Sequence, residues 1–327
     1  MSENTSLFSV YAENLKSVGG RTLEARQFAI VEFNRTMAKV IPWAVLEERL
    51  SPRYYDGKRG RPPFPLGLML RIYLLALLHN YGDERVLFEV CCKVVMAEFC
   101  GVDPTVDKIP ERTALVRFRT WLREHEFATI LEVEVAAALA AIGLELKRGT
   151  SVDSTLIKAS SSTKNQAQSR DEEMSSTRKG EQYHFGMKVH VGVDSETGWV
   201  HSLECTTASV HDSQVIGKLL HGAEHEVYGD KAYVGQTAKI QEVAPQAMDK
   251  TLAKARRNRP LTAEQEESNR GKNRIRARVE HCFRVLKCQF GYRQVRYRGL
   301  ARNERHLRSL MDLVNLYQFR RQLLAGV

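Results

Sequence analysis

The sequence carries the stretch Arg276-Ala-Arg-Val-Glu-His-Cys-Phe-Arg-Val-Leu-Lys287 near its C-terminal end. Within it, Arg276, Glu280, Phe283 and Lys287 recur at the intervals of one helical face. On a continuous helix their directions fall within a stripe about 60° wide. We therefore expect one narrow face to present two cations, a carboxylate and an aromatic ring.

Two further carboxylates lie upstream on segments that read as strands. Asp153 stands in Thr-Ser-Val-Asp-Ser-Thr, and Asp230 stands in Val-Tyr-Gly-Asp-Lys-Ala-Tyr. One Asp after a strand is most often a turn residue, but two of them can converge with Glu280 if its helix packs against the sheet. Carboxylate oxygens are the ligands that Mg²⁺ and Mn²⁺ prefer. The sequence therefore predicts a metal site that acts on phosphodiesters.

The charge of the chain is unevenly distributed. The 327 residues are 43% apolar, which is enough for about two or three domains with real cores. The formal net charge is +10, yet residues 251–327 alone hold 19 Lys or Arg against 6 Asp or Glu, a net +13. A solubilising surface is the common explanation of such an excess, but this one surrounds the predicted metal site. We therefore expect a polyanionic partner.

Cysteine spacing and hydropathy exclude several classes of protein. The cysteines form no Cys-x-x-Cys pair and have no matching His spacing, so neither a zinc site nor a disulfide framework is indicated. The most apolar stretch, Ile72 to Leu78, is far shorter than the roughly 18 residues of a membrane span. The N-terminus lacks the pattern of a secretory signal. We expect a soluble cytoplasmic protein with no membrane partner.

Residues 1–143 are predicted to form a helical domain. Helices are expected at 66–78, 84–98, 109–122 and 127–142, after a basic, turn-rich segment from Arg53 to Pro65. The helix at 109–122 buries Leu115, Phe118 and Leu122 on one face and exposes arginines. It resembles the second half of a helix-turn-helix, although a solvated arginine face on an ordinary bundle helix explains it equally well.

Residues 144–327 are predicted to form an α/β domain. Strands are expected at 151–157, 183–193, 199–207 and 226–228, with a hairpin turn at 194–198. The segment at about 158–182 is polar without apolar periodicity and predicts a mobile loop. Asp212 is expected to cap a helix at 213–220, and a last helix is expected at about 304–323. This order fits a mixed sheet flanked by helices.

Together these residues resemble the bacterial insertion-sequence transposases of the DDE class, in the group named after insertion sequence five. The last motif of that group is Tyr, two residues, Arg, three residues, Glu, six residues, Lys. Arg276, Glu280 and Lys287 match its last three members, and Asn273 stands where the group has its Tyr. The other motifs resemble Val152-Asp-Ser-Thr155 and Tyr228-Gly-Asp-Lys-Ala-Tyr233, and the resemblance covers roughly residues 50 to 320.

The resemblance implies an RNase-H-like catalytic domain behind an all-α N-terminal domain for DNA binding and dimerisation. It implies a bacterial, nucleoid-associated transposase that cuts at the ends of an insertion sequence and joins the 3′-hydroxyl ends to target DNA. Asp153, Asp230 and Glu280 would be catalytic and would hold two Mg²⁺ ions, with Mn²⁺ as a substitute. Arg276 would keep Glu280 ionised, and Lys287 would reach a phosphate. Two ends must be paired, so at least a homodimer is expected.

Double-stranded DNA is the expected partner, and exposed cations of both domains, including the basic segment at about 250–278, are expected to contact its backbone. The predicted contacts are Arg59, Arg61, Arg112, Arg117, Arg119, Lys254, Arg256, Arg257, Arg259, Arg274, Arg278, Arg293, Arg296 and Arg298. Tyr292 and Tyr297 lie among them and would either stack on unpaired bases or belong to the core. Two alternatives stay open: a nuclease of the same fold without strand transfer, and a domesticated DNA-binding protein, which the intact acidic triad disfavours.

Overall fold

The computed structural model describes residues 21–55, 62–164, 168–255, 257 and 259–326. The predicted DNA contacts Arg59, Arg61 and Arg256 lie outside these residues. The chain forms two compact units, Met1–Ala138 with Phe319–Val327, and Leu139–Gln318. The sequence analysis placed the boundary at residues 143 and 144 and assigned the whole C-terminal helix to the second domain. No helix in the described ranges is long and apolar enough to cross a membrane.

The first unit is built from helices. They are α1 (Arg21–Val40), α2 (Trp43–Tyr54), α3 (Leu66–Leu78), α4 (Asp83–Cys92), α5 (Val94–Cys100), α6 (Arg112–Glu124) and α7 (Phe127–Ala141). Helix α3 has the predicted bounds and buries most of its apolar side chains. Helix α6 buries Leu115, Phe118 and Leu122, as its amphipathic pattern predicts.

The single helix predicted at 84–98 is wrong, because the segment is divided into α4 and α5. Lys93 has an extended backbone, with φ −123° and ψ 117°, and it separates the two helices. Its ammonium group lies 2.6 Å from the carboxylate of Glu89, a side chain that is completely buried. No Gly or Pro marks this break, so local sequence patterns could not reveal it.

The second unit contains a six-stranded mixed sheet and its flanking helices. The strands are β1 (Gly149–Lys158), β2 (Ser175–Lys179), β3 (Gln182–Asp194), β4 (Val200–Thr207), β5 (Glu226–Tyr228) and β6 (Met248–Asp249). The helices are α8 (Thr237–Val243), α9 (Ala263–Arg276), α10 (Arg278–Arg284) and α11 (Leu300–Ala325), the last of which ends in the first unit. The predicted fold class, a helical region followed by a mixed sheet flanked by helices, is confirmed.

The order of the strands places β1 at the centre of the sheet. Strand β1 pairs antiparallel with β3 and parallel with β5, and β5 pairs parallel with β6. Strands β2 and β4 pair with successive parts of β3, on its side away from β1. A central strand is buried by its neighbours, so a polar side chain on β1 has a fixed position.

The polar loop predicted at about 158–182 is corrected by the presence of β2. Residues Ser175 to Lys179 pair with Gly186 to Gln182 on β3, and Met174 is buried. The strand reads Ser-Ser-Thr-Arg-Lys and has no apolar side chain to generate an alternating pattern. Its conformation follows from backbone hydrogen bonds to β3, which a hydropathy pattern does not record.

The helix predicted at 213–220 is also corrected. The structure has two 3₁₀ turns, Asp212–Gln214 and Ile216–Leu219. The side chain that accepts a hydrogen bond from the Ser213 N–H belongs to His211 rather than to Asp212. This segment packs very closely on β3, where a Cβ at Gly192 would collide with the carbonyl oxygen of Leu219.

Asn315 on α11 joins that helix to β4, and we expect Asn315→Ala to lower the free energy of unfolding by about 2 kcal/mol. Its side chain accepts a hydrogen bond from the Val200 N–H at 3.0 Å and donates one to the Val200 carbonyl at 2.9 Å. Asn315 is buried, so its loss leaves both backbone groups without a partner or water. A urea titration measures the change. Gln318→Ala, which removes one 3.2 Å hydrogen bond to Gly198, should cost less; an equal cost would contradict the assigned role.

Candidate active site

Asp153 and Asp230 are brought together by the register of two parallel strands. Ser151 on β1 pairs with Tyr228 on β5, and each Asp follows its member of that pair by two residues. Neighbouring strands lie about 4.8 Å apart, so the two carboxylates leave the sheet at the same place. Asp230 then caps a 3₁₀ turn, where its Oδ1 accepts a hydrogen bond from the Ala232 N–H at 2.8 Å.

Arg276 links Asp153 to Glu280. From the last residue of α9, its Nη1 donates to Asp153 Oδ2 and its Nη2 donates to Glu280 Oε1, each at 2.7 Å. The side chains of Arg276 and Asp153 are 15% and 19% exposed, whereas that of Glu280 is 60% exposed. One guanidinium group therefore holds a nearly buried carboxylate of the sheet beside an exposed carboxylate of α10.

Asp153 lies in an environment that opposes its negative charge. Burial, together with the charges of Asp230 and Glu280, raises the pKa of its carboxyl group from 3.8 to about 6. The Ser154 N–H and the Arg276 guanidinium act in the opposite direction, but they do not offset the burial. The site thus has an excess of negative charge that a bound cation would relieve.

The continuous helix predicted through Arg276 and Lys287 is wrong. The chain leaves regular α-helix at Ala277, between α9 and α10, and forms a π-helical turn over Val285–Gln289. Arg276 and Glu280 still meet, but the π-helical turn changes the direction of Lys287. Its Nζ donates to Thr155 Oγ1 at 2.6 Å and to the Leu156 carbonyl at 2.8 Å, so it binds β1.

A fourth carboxylate, Asp212, acts on the same buried side chain, Tyr233, as Asp153 and Asp230 do. Its Oδ1 accepts a hydrogen bond from Lys188 Nζ at 2.9 Å and lies 3.9 Å from the buried ring of His190. The pKa of the buried Tyr233 hydroxyl is raised, first by burial and then by the charges of Asp212, Asp153 and Asp230. The sequence analysis did not select Lys188. Its position between Met187 and Val189 on a buried strand could have indicated a functional cation.

The donor chemistry of the predicted triad fits a divalent metal ion. Asp153, Asp230 and Glu280 offer hard oxygen donors, and they repel one another across a site that holds Arg276 as the bridging cation. In the conformation described, no three His, Cys, Asp or Glu side chains among the described residues form a cluster ready to hold a metal ion. The exposed side chain of Glu280, which is bound to Arg276, is the member of the triad most able to turn.

Comparison with known families agrees with this geometry. The family described as "Transposase DDE domain" matches residues 145–316, more than half of the chain. The chain belongs to this family. A second family, described as "Transposase domain (DUF772)", matches residues 24–121 of the transposase. The prediction of a DDE transposase is confirmed, whereas the insertion sequence five group stays a prediction. No solved structure matches the chain.

Several predicted DNA contacts of the transposase have partners within the protein. Arg119 lies 2.5 Å from Asp83, and Arg112 lies 3.3 Å from Glu84. Backbone carbonyl groups accept hydrogen bonds from Arg278, Arg293 and Arg298. Exposed positions are occupied by Arg112, Arg117, Lys254, Arg257, Arg259, Arg274, Arg278, Arg293 and Arg298, while Arg119 and Arg296 are partly buried.

Tyr292 is unsuited to the base stacking proposed as one of its roles. The residue is 1% exposed and therefore belongs to the core, which is the second of the two roles that the sequence left open. Burial also raises the pKa of its hydroxyl group. Tyr297 is partly exposed, and its ring packs edge-on against His306 at 5.4 Å.

Asp153→Asn should stabilise the metal-free transposase at neutral pH. The pKa of Asp153 is raised from 3.8 to about 6, so the folded state disfavours the ionised form by roughly 3 kcal/mol. This cost is absent below about pH 4, grows as the pH rises to about 6, and is complete above it.

The measurement is thermal unfolding in EDTA at several pH values. The variant should melt at a higher temperature than the wild type at pH 7.5, and the difference should vanish as the pH falls to about 4. Glu242→Gln, a change at an exposed carboxylate of α8, should leave the melting temperature unchanged. A lower melting temperature of Asp153→Asn at pH 7.5 would show that the contact with Arg276 outweighs the cost of burial.

Proposed function

We propose that this transposase cuts DNA at the ends of an insertion sequence and joins the freed 3′-hydroxyl ends to target DNA. The observation that carries the proposal is the link that Arg276 forms between Asp153 and Glu280, with Asp230 close enough to raise the pKa of Asp153, in the domain matched by the transposase DDE family. These are the carboxylates that the sequence motifs single out. The ligands proposed for Mg²⁺, or for Mn²⁺ in its place, are these same side chains, with two ions in each site.

The metal ions, when bound, supply charge neutralisation at the phosphodiester and activation of the attacking oxygen. The task of the chain is to hold the acidic side chains in position. Arg276 favours the ionised form of Asp153 and holds Glu280 beside it through two 2.7 Å hydrogen bonds. Asp230 is oriented by its hydrogen bond with the Ala232 N–H.

Lys287 acts in this proposal as a positioning residue. Its ammonium group joins the π-helical turn to Thr155 and Leu156, two and three residues beyond Asp153 on β1. The strand that carries Asp153 is thereby fixed to the helical segment that carries Glu280. We expect Lys287→Ala to slow cleavage less than a change of either carboxylate does.

The proposed substrate is double-stranded DNA, first as the terminal inverted repeats of the element and then as the target. Basic residues 251–327, net +13, supply the positive field for this polyanion. Both ends of an element must be held together for insertion, so the active assembly is proposed to be a homodimer or larger.

The test is a cleavage and joining reaction with purified protein. A labelled duplex with the element end, taken from the DNA that flanks the coding sequence, is incubated with a supercoiled target plasmid in Mg²⁺, Mn²⁺ or EDTA. We expect a 3′-hydroxyl nick at the element boundary and labelled plasmid in either metal, and neither product in EDTA. Nicks without labelled plasmid would identify a nuclease, and binding without nicks in any metal would identify a DNA-binding protein.

A further inference from the structure

A second feature of the sheet domain lies away from the triad, at the starts of β1 and β5. An open pocket of about 750 Å³ is lined there by charged side chains that include Arg148, Glu196, Glu226, Arg274 and Arg278. Arg274 and Arg278 come from α9 and α10, on either side of Arg276. Arg148 directly precedes β1 and was not among the predicted DNA contacts. The volume lies in the range of ligand pockets.

The arginines of this pocket differ in how they are held. Arg278 Nη1 donates to the carbonyl groups of Ser195 and Glu196, so this cation is fixed to the turn between β3 and β4. Arg148 Nη1 donates to His225 Nε2 at 3.1 Å, and because a guanidinium only donates, the histidine nitrogen is the acceptor. Arg274 is exposed and makes no side-chain hydrogen bond or ion pair with the described residues.

The carboxylates of the pocket do not cancel this positive charge. Glu226 accepts a hydrogen bond from the Tyr228 hydroxyl at 2.5 Å and lies 3.8 Å from Lys250, so its charge already has partners. Glu196 lies exposed on the turn between the strands. The charge of Glu226 is offset by that of Lys250. The other charged side chains that line the pocket are three arginines and one exposed carboxylate, Glu196. The pocket therefore favours an anion with several oxygen acceptors, as a phosphate group has.

The position of the pocket relates it to the triad. Gly149 lines the pocket and Asp153 lies four residues farther along β1, which is about 13 Å at a strand rise of about 3.3 Å per residue. A strand of duplex DNA advances about 3.4 Å along the axis per phosphate. Because the phosphates also wind around the axis, they are farther apart in space than this rise, and a DNA strand with one phosphate at the triad has another within a few nucleotides that can reach the pocket.

We propose that this pocket binds a backbone phosphate of the DNA strand, within a few nucleotides of the phosphate that meets the triad. The proposal rests on the proposed function, since it takes the DNA substrate from there. Arg148 and Arg274 are the phosphate contacts. Arg278 lines the pocket from a fixed position, because it is hydrogen-bonded to the turn between β3 and β4. The pocket thereby sets the register of the strand on the sheet.

The experiment measures DNA binding in EDTA, where no cleavage occurs. The affinity of a fluorescein-labelled 30-base-pair duplex with the element end is measured by anisotropy over a series of salt concentrations. Arg148→Ala and Arg274→Ala should each weaken binding roughly tenfold at low salt and reduce the slope of log K against log salt by about one. Lys218→Ala is the matched control, because it removes one charge from an exposed site outside the pocket and should change the affinity by less than about twofold.

A second arm locates the contact on the DNA. Single methylphosphonate linkages, which are neutral, are placed one at a time at successive positions beside the cleaved bond. The wild type should lose affinity when the neutral linkage lies at one position within a few nucleotides of the cleaved bond, and Arg274→Ala should show no further loss there. Three results would overturn the proposal. The first is an equal loss of DNA affinity in Lys218→Ala and in the pocket variants. The others are an unchanged affinity of the pocket variants and a wild type that does not bind DNA.

The two proposals can fail separately. If the pocket variants bind as expected but the wild type neither cuts nor joins DNA in Mg²⁺ or Mn²⁺, the phosphate pocket stands and the strand-transfer function falls. If the wild type cuts and joins DNA but the pocket variants bind DNA normally, the strand-transfer function stands and the phosphate pocket falls. Melting temperatures of the variants, expected to equal that of the wild type because both arginines are exposed, exclude misfolding as the cause.

Discussion

Asp230→Asn and Glu280→Gln should each reduce the rate of DNA cleavage by roughly 10³-fold or more and leave DNA binding in EDTA nearly unchanged. Each change removes one negative oxygen donor from the proposed metal site without altering the size of the side chain. Loss of such a donor costs several kcal/mol of stabilisation in phosphoryl transfer, and each 1.36 kcal/mol is a factor of ten in rate. Single-turnover cleavage of a labelled element end measures the effect.

Asp249 provides a closely matched control for Asp230. It stands at the end of β6, and its Oδ1 accepts a hydrogen bond from the Thr251 N–H at 2.9 Å, as Asp230 Oδ1 does from Ala232 at 2.8 Å. Asp249→Asn should therefore cut at nearly the wild-type rate. Cleavage at the wild-type rate by Asp230→Asn or by Glu280→Gln would remove that residue from the site.

Arg276→Ala should lower cleavage at pH 7 by roughly 10²-fold and move the acid limb of the pH–rate profile to higher pH. The guanidinium group lowers the pKa of Asp153, so its removal should raise that pKa further. A larger fraction of Asp153 is then protonated at neutral pH, and activity should recover partly as the pH approaches 9. The measurement is single-turnover cleavage at saturating DNA from pH 6 to pH 9.

Arg270 lies on the same helix and provides the control for Arg276. It is exposed and pairs with Glu267 at 2.6 Å, so Arg270→Ala removes the same charge without touching the triad. Its pH–rate profile should match that of the wild type. An unchanged profile of Arg276→Ala would show that the bridge between Asp153 and Glu280 does not control the ionisation of the site.

The parts of the site that sequence alone predicted are those with a local signature. Asp153 lies on a strand-like segment, Asp230 follows a short buried strand, and Arg276 and Glu280 lie one helical turn apart, so local patterns made them candidates when taken together. The strand register of β1 and β5 then brings the two aspartates together. The fold class follows from the same alternation of helical and strand patterns.

The features that sequence missed depend on contacts between distant parts of the chain. Strand β2 exists because its backbone pairs with β3, and its polar side chains carry no sign of it. Lys287 turns to β1 because of a π-helical turn, a conformation without a composition signature. Arg148 and Arg274 are far apart in sequence, and the sheet places them in one pocket.

The most direct test of a shared metal site is the anomalous diffraction of crystals of the transposase grown with Mn²⁺ and element-end DNA. We expect anomalous peaks about 2.1 Å from carboxylate oxygens of Asp153 and Asp230, with Glu280 turned from Arg276 to bind one of the ions. Anomalous peaks that contact none of the three carboxylates would contradict the proposed catalytic site. The same holds if Mn²⁺ binds elsewhere while Arg276 still joins Asp153 to Glu280.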